Sequence, residues 1–212
     1  MNKKILLIAS ASFLGWFISH ASVTSIPNWS YSGGLYCYAP VLTTDSGTGA
    51  QSVGISGYQS SFGEMGLTIL TDTPADPTLT INDSIDNESS FVWTGYIVSV
   101  GMNQPFSINS AGVVAPSGWT ANITQPGGPV SGIYTGTIDY VGGTPVAISP
   151  GPNSTLDYGY QVQFSGTTQY SLTESVTIVP EPGAFKLLMA GGLLLGGWTV
   201  AKCRHAKLCI CA

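Results

Sequence analysis

Between Ser22 and Val179 the chain has no lysine, no arginine and no histidine. The basic residues, Lys3, Lys4, Lys186, Lys202, Arg204 and Lys207, and both histidines, His20 and His205, lie outside that segment. Asp45, Glu64, Asp72, Asp76, Asp83, Asp86, Glu88, Asp139, Asp157 and Glu174 lie inside it, so it carries ten negative charges and no positive one. Such a surface cannot neutralise phosphates and release counterions, which excludes nucleic acid and anionic lipid as partners. Side-chain salt bridges are also excluded, and the fold must rest on apolar burial and hydrogen bonds. Without histidine there is neither an imidazole base nor an imidazole metal ligand. Cys37 is the only cysteine of the segment, so no disulfide can staple it, and a small buried hydrophobe is the expected role. Cys203, Cys209 and Cys211 belong to the C-terminal segment. Sustained helical periodicity is missing too, and 27 glycines and 13 prolines speak against a helical membrane bundle.

What the middle does contain is alternation. In residues 156–165, Tyr158, Tyr160, Val162 and Phe164 alternate with Asp157, Gly159, Gln161 and Gln163, the signature of a half-buried strand. Tyr170, Leu172, Val176 and Ile178 repeat the pattern, with Glu174 the one charged residue on the apolar face. Further strands are expected at 52–59, 65–70, 78–81, 91–100, 119–124 and 132–141, separated by Pro/Gly/Asp-rich turns such as 71–77 and 125–129. About eight short strands at this spacing predict an all-β, antiparallel β-sandwich over 51–178, of jelly-roll or immunoglobulin-like topology. Residues 22–50 read as a Gly/Ser-rich lead-in with an edge strand at 35–41.

The two ends read as targeting segments. Residues 1–21 have a basic start at Lys3 and Lys4, an apolar stretch from Ile5 to Ile18, and Ser19-His20-Ala21 as small-x-small, the pattern of a secretory signal peptide cleaved between Ala21 and Ser22. At the other end, 184–201 is an apolar run that as a helix reaches roughly 27 Å, just enough for a hydrocarbon core of about 30 Å. Lys202, Arg204 and Lys207 follow it and place the C-terminus in the cytoplasm. The middle segment is then expected on the far side of the membrane. Pro180 and Pro182 hold Val179 and Glu181 extended, so Val179-Pro180-Glu181-Pro182 forms a non-helical stub ahead of the span.

This order of parts, Pro-Glu-Pro, a Leu/Gly-rich span and a basic cluster over 179–212, resembles the PEP-CTERM protein-sorting signal. The chain departs from the usual arginine-rich ending, closing on Lys-Leu-Cys-Ile-Cys-Ala. The resemblance implies an exosortase substrate of a Gram-negative, exopolysaccharide-making bacterium. Its precursor would pass the Sec translocon, sit transiently in the inner membrane, and be delivered to the cell surface or matrix.

Little in the exported part carries chemistry. Asp45-Ser46-Gly47-Thr48 matches the core of an aspartic-protease motif, yet no second copy exists and an Asp-Ser-Gly turn is expected. Asp83, Asp86 and Glu88, with Asn82 and Asn87, form the densest acidic cluster and are expected on a solvated loop, without EF-hand spacing. Trp93, Tyr96, Trp119, Tyr134, Tyr140, Tyr158 and Tyr160 can stack on sugars, but in strands they are expected to pack the core. No cofactor, metal site or catalytic constellation is expected. The sequence therefore predicts a non-enzymatic structural or adhesive protein of an exopolysaccharide matrix. The alternative is a carbohydrate-binding or carbohydrate-cleaving sandwich delivered by the same route.

Overall fold

A computed structural model describes residues 21–182; the signal segment before Ala21, the span at 184–201 and the cluster of Lys202, Arg204 and Lys207 lie outside it. The described chain is all-β: β1 (Val23–Cys37), β2 (Val41–Thr44), β3 (Gln51–Thr71), β4 (Thr78–Asn87), β5 (Trp93–Met102), β6 (Phe106–Val114), β7 (Trp119–Thr124), β8 (Tyr134–Val146), β9 (Thr155–Phe164) and β10 (Gln169–Pro180). No helix among the described residues is long and apolar enough to cross a membrane.

The strands form one mixed sheet, in the order β6-β9-β4-β3-β10-β5-β8-β7, with β1 and β2 paired to β3. The key element is β3, expected as two strands and found as one. Its first half pairs with β4 through Ser52–Gln59 and its second half with β10 through Gly63–Leu70, while on the opposite edge β2 pairs with Gln51–Gly54 and β1 with Gly57–Thr71. Ser60-Ser61-Phe62, between the two halves, is thus a corner and not a turn, and the sheet doubles back on itself there. On the far side the sheet nearly closes. The Gln125 side chain, just past β7, donates to the Ile108 carbonyl at 2.7 Å and accepts from the Ile108 N–H at 3.0 Å, acting as a strand's backbone would across the β6 edge.

Two sequence expectations are corrected. The sheet is not purely antiparallel, since β3 and β4 run parallel. Residues 22–50 are more than a lead-in, because they supply β1 and β2. Strand β1 has room to lie against β3 because glycine stands at the contact: a Cβ on Gly63 would lie 2.2 Å from Leu35 Cβ, and one on Gly57 only 2.0 Å from the Tyr36 carbonyl oxygen. Strand β6 was not foreseen either. Of its side chains only Ile108 is buried, so it leaves no alternating signal.

Inside the doubled sheet, alternate residues of each strand meet. Leu79, Ile81 and Ile85 of β4, Met65, Leu67 and Ile69 of β3, and Leu172 and Val176 of β10 are buried with Tyr160, Val162 and Phe164 of β9. Each fully buried side chain of this kind stabilises the fold by about 1.5–3 kcal/mol. The predicted alternations at 156–165 and 170–178 are the ones that build this interior.

Candidate functional site

The surface feature of greatest chemical content begins in β1, whose sequence Asn28-Trp29-Ser30-Tyr31-Ser32 alternates aromatic with small polar residues and so sends the two kinds to opposite sides. The polar set continues across neighbouring strands in register. Asn28 lies opposite Thr68, and Thr68 opposite Ser171; Ser30, Gly66 and Thr173 form the next rung; Ser32, Glu64 and Ser175 form the third. The third rung extends through Ser99, Thr137 and Thr124 of β5, β8 and β7. This outward face of β1, β3 and β10 is hydroxyl-rich, and it is hollowed into an open trough of about 400 Å³. Gly66 lies in the trough, where a Cβ would come within 3.0 Å of Ser30 Oγ.

Trp29 and Tyr31, each 40% exposed, are on the other face of β1, in register with the buried Leu67 and Met65 of β3. They start a row of rings: Trp29 to Tyr31 at 5.9 Å between centroids, Tyr31 to Tyr36 at 4.7 Å, and Tyr36 to Tyr38 at 5.4 Å. The row bends past Gly33, whose φ of +68° breaks the alternation of β1. Tyr58 of β3, directly opposite Tyr36, lies nearly parallel to it at 4.7 Å and 10° and braces the row from behind. Tyr38 and Phe62 are more than half exposed. Large aromatics at this exposure on an edge strand are not needed for the core, and contiguous exposed aromatic surface marks an interaction site.

A second polar constellation is sealed inside. Glu174 of β10 accepts from the Tyr158 hydroxyl at 2.7 Å on one oxygen and from the Tyr160 hydroxyl at 2.7 Å on the other, so two phenols of β9 reach across the interior to one carboxyl. Tyr96 donates to Gln59 Oε1 at 2.6 Å and Tyr140 to the Gly159 carbonyl at 3.0 Å. Asp83 of β4 stands opposite Tyr158, yet among the described residues neither of its oxygens has a partner. The Tyr158 hydroxyl beside it holds its carboxyl down, but that hydroxyl has a single proton and gives it to Glu174. Burial first and the charge of Glu174 second hold the Asp83 carboxyl well above the usual range. Glu174 is also raised by burial, against its two phenol donors. At 4% and 2% exposure, neither acid can be reached by a glycan, and they do not form an accessible glycosidase pair.

The other expected residues fall as follows. Trp93, Tyr96, Tyr140, Tyr158 and Tyr160 are buried core side chains, Trp119 is 7% exposed, and Tyr134 is half-buried. The acidic cluster is not a solvated loop: it lies on β4 and just beyond, with Asp83 inward and Asp86 half-buried, its carboxylate accepting from Thr155 Oγ1. Among the described residues no group of three acidic, Cys or His side chains is placed to hold a metal ion. Asp45 makes the expected turn, its Oδ1 accepting from the N–H groups of Gly47 and Thr48 and from the Thr48 hydroxyl, and these bonds lower its carboxyl. Cys37 is buried, and burial pushes its thiol up to about 12. Ala21 is buried and donates to the Ala75 carbonyl at 2.9 Å, while the exposed Ser22 N–H meets Asp72 Oδ1 at 2.7 Å. Val179 and Pro180 close β10, with Pro180 opposite Trp93; the Glu181 N–H donates to the Val92 carbonyl at 3.0 Å, and Pro182 is exposed.

No protein-family model, curated protein or solved structure matches the chain.

The aromatic row was missed in the sequence because it falls in the segment taken for a lead-in. Its signal was present in the aromatic/serine alternation of residues 28–32, which reads as a strand with one aromatic face.

Proposed function

We propose that this chain is a non-enzymatic, exported protein that adheres to polysaccharide, its doubled sheet a β-sandwich presenting the aromatic row of β1 as the contact surface. The observation that carries this reading is the exposed row of rings from Trp29 to Tyr38 along the edge strand. Sugar rings offer apolar C–H faces that stack on aromatic rings, and β1, with Tyr38 just past its end, supplies four rings in succession. A row of rings on an open edge suits adhesion along a chain better than enclosure of a small molecule.

Delivery rests on the resemblance of 179–212 to the PEP-CTERM signal: export through the Sec translocon, cleavage after Ala21, a transient inner-membrane precursor, and removal of the tail by an exosortase at Val179-Pro180-Glu181-Pro182. Two features of the fold are compatible with it. Strand β10 runs directly into the motif, so a cut near Pro182 leaves every strand intact. Cleavage after Ala21 would turn the Ser22 nitrogen, 2.7 Å from Asp72, into an α-ammonium facing a carboxylate.

The test has two arms. On a glycan array the chain is expected to bind, and Trp29→Ala with Tyr31→Ala to abolish binding while leaving the circular dichroism unchanged; absence of any glycan binding would sink the adhesive reading. Mass spectrometry of the protein from its native host is expected to find a start at Ser22 and an end near Pro180 to Pro182. An intact tail containing Trp198 and Arg204 would instead make the C-terminal segment a permanent anchor.

A further inference from the structure

We infer that the polysaccharide taken by this surface is electrically neutral and lies as an extended chain along the open edge of β1, over Trp29 and Tyr31. The inference rests on the adhesive reading above and narrows its ligand class.

Charge decides the first part. Anionic glycans carry carboxylates or sulfates, and proteins hold these with Arg and Lys. The described residues contain neither, so no side chain can supply a charge-assisted contact to an acidic sugar. Two carboxylates lie near the middle of the row, beside Ser32 and beside Tyr58. Glu64 occupies the third rung and lines the trough next to Tyr31 and Ser32. Glu88 is tied beside Tyr58, its N–H donating to the carbonyl of the adjacent Gln59 at 2.9 Å. A polyanion lying along the row would meet both, and like charges brought together on a surface repel. A neutral sugar meets only acceptors for its hydroxyls, which a carboxylate serves well.

Geometry decides the second part. Among the described residues β1 pairs only with β3, so its outer edge is open. The rings follow the strand direction, and a strand is straight over the few residues from Asn28 to Ser32. A ligand spanning the row from Trp29 to Tyr38 must therefore be extended over several sugar units.

The experiment is native affinity electrophoresis of the full chain, in a non-ionic detergent without a sugar headgroup. Gels contain hydroxyethyl cellulose as the neutral probe, alginate as the anionic probe, or no polysaccharide. Retardation is expected in hydroxyethyl cellulose, unchanged by added salt, with none in alginate at low salt. The Trp29→Ala/Tyr31→Ala chain should lose affinity at least about tenfold, as truncation of exposed stacking residues does. Glu64→Lys should leave the neutral interaction within a few-fold and create retardation in alginate. Stronger retardation of the unaltered chain in alginate than in hydroxyethyl cellulose would overturn the neutral assignment while leaving polysaccharide adhesion standing. Retardation in neither gel, together with a silent glycan array, would overturn the adhesive reading itself. Equal retardation of the double variant and the unaltered chain would remove the ligand from β1.

Discussion

Replacing Asp83 by Asn should cost stability at pH 4 and progressively less as pH rises toward 7. Asp83 is 4% exposed, has no hydrogen-bond partner among the described residues, and shares the interior with Glu174 and the phenols of Tyr96, Tyr140, Tyr158 and Tyr160, with the Cys37 thiol near. No side-chain cation accompanies these groups, because the described residues contain no Lys, Arg or His. An unpaired carboxylate there is far costlier than a neutral carboxyl, so Asp83 keeps its proton in the folded chain. In the unfolded chain it ionises near pH 3.9. The folded value is raised, so the stability Asp83 permits is complete below about pH 3.9 and falls as pH rises toward the folded value, by about 1.4 kcal/mol per pH unit. Asparagine has the same size and no such cost, but its amide adds an unpartnered donor worth about 1–3 kcal/mol. The expected result is an Asp83→Asn chain less stable than the parent at pH 4 by about 1–3 kcal/mol, with the deficit shrinking as pH rises to 7. Denaturant unfolding followed by tryptophan fluorescence across pH 4–7 measures it, and the difference between the chains cancels the repulsion among exposed acids. Parallel curves, with no change in their separation over that range, would show that Asp83 is ionised in the fold and refute the reasoning.

Three further outcomes follow from the geometry. Asn87 donates to the carbonyls of Phe91 and Val146 and accepts from the Ser89 N–H and hydroxyl, the same hydroxyl that receives the Trp93 indole N–H. Asn87→Ala should therefore cost about 2–4 kcal/mol and shift Trp93 emission, and a loss under about 0.5 kcal/mol would contradict this role. Gly63→Ala pushes a methyl against Leu35 and should loosen β1 from β3, at a cost of about 2–3 kcal/mol, read as faster proteolytic cleavage within residues 23–37. Unchanged cleavage there would mean that β1 tolerates the methyl. With its thiol pushed up to about 12 and its side chain buried, Cys37 should resist iodoacetamide at pH 8 in the folded chain and react after denaturation; peptide mapping by mass spectrometry distinguishes it from the other cysteines, and labelling of native Cys37 would count against its burial.

Parts of this arrangement were legible in order along the chain. Tyr170, Leu172, Val176 and Ile178 marked one face of β10, and that alternation alone placed Glu174 inward. The same logic was open to Asp83, between Leu79, Ile81 and Ile85, but Asn82, Asp86, Asn87 and Glu88 around it gave the stretch the composition of a loop. Composition and alternation disagreed there, and alternation won because β3 and β9 flank β4 and pair with it along its length. At 60–62 Ser60 and Ser61 marked a real interruption, and only the partners on either side of β3 could show it to be a corner.

By itself the sequence determined the all-β class, the absence of positive charge over the middle of the chain, and the alternation that separates inward from outward residues, because these depend on residue type and spacing alone. Tertiary structure decided which aromatics are free. Trp93 and Trp29 sit in similar alternating contexts, yet strands on both sides of β5 help bury Trp93, whereas β1 lies at an edge and leaves Trp29 at 40% exposure. Exposure depends on which strands become neighbours, through pairings between residues far apart in the chain, and local pattern carries no record of that.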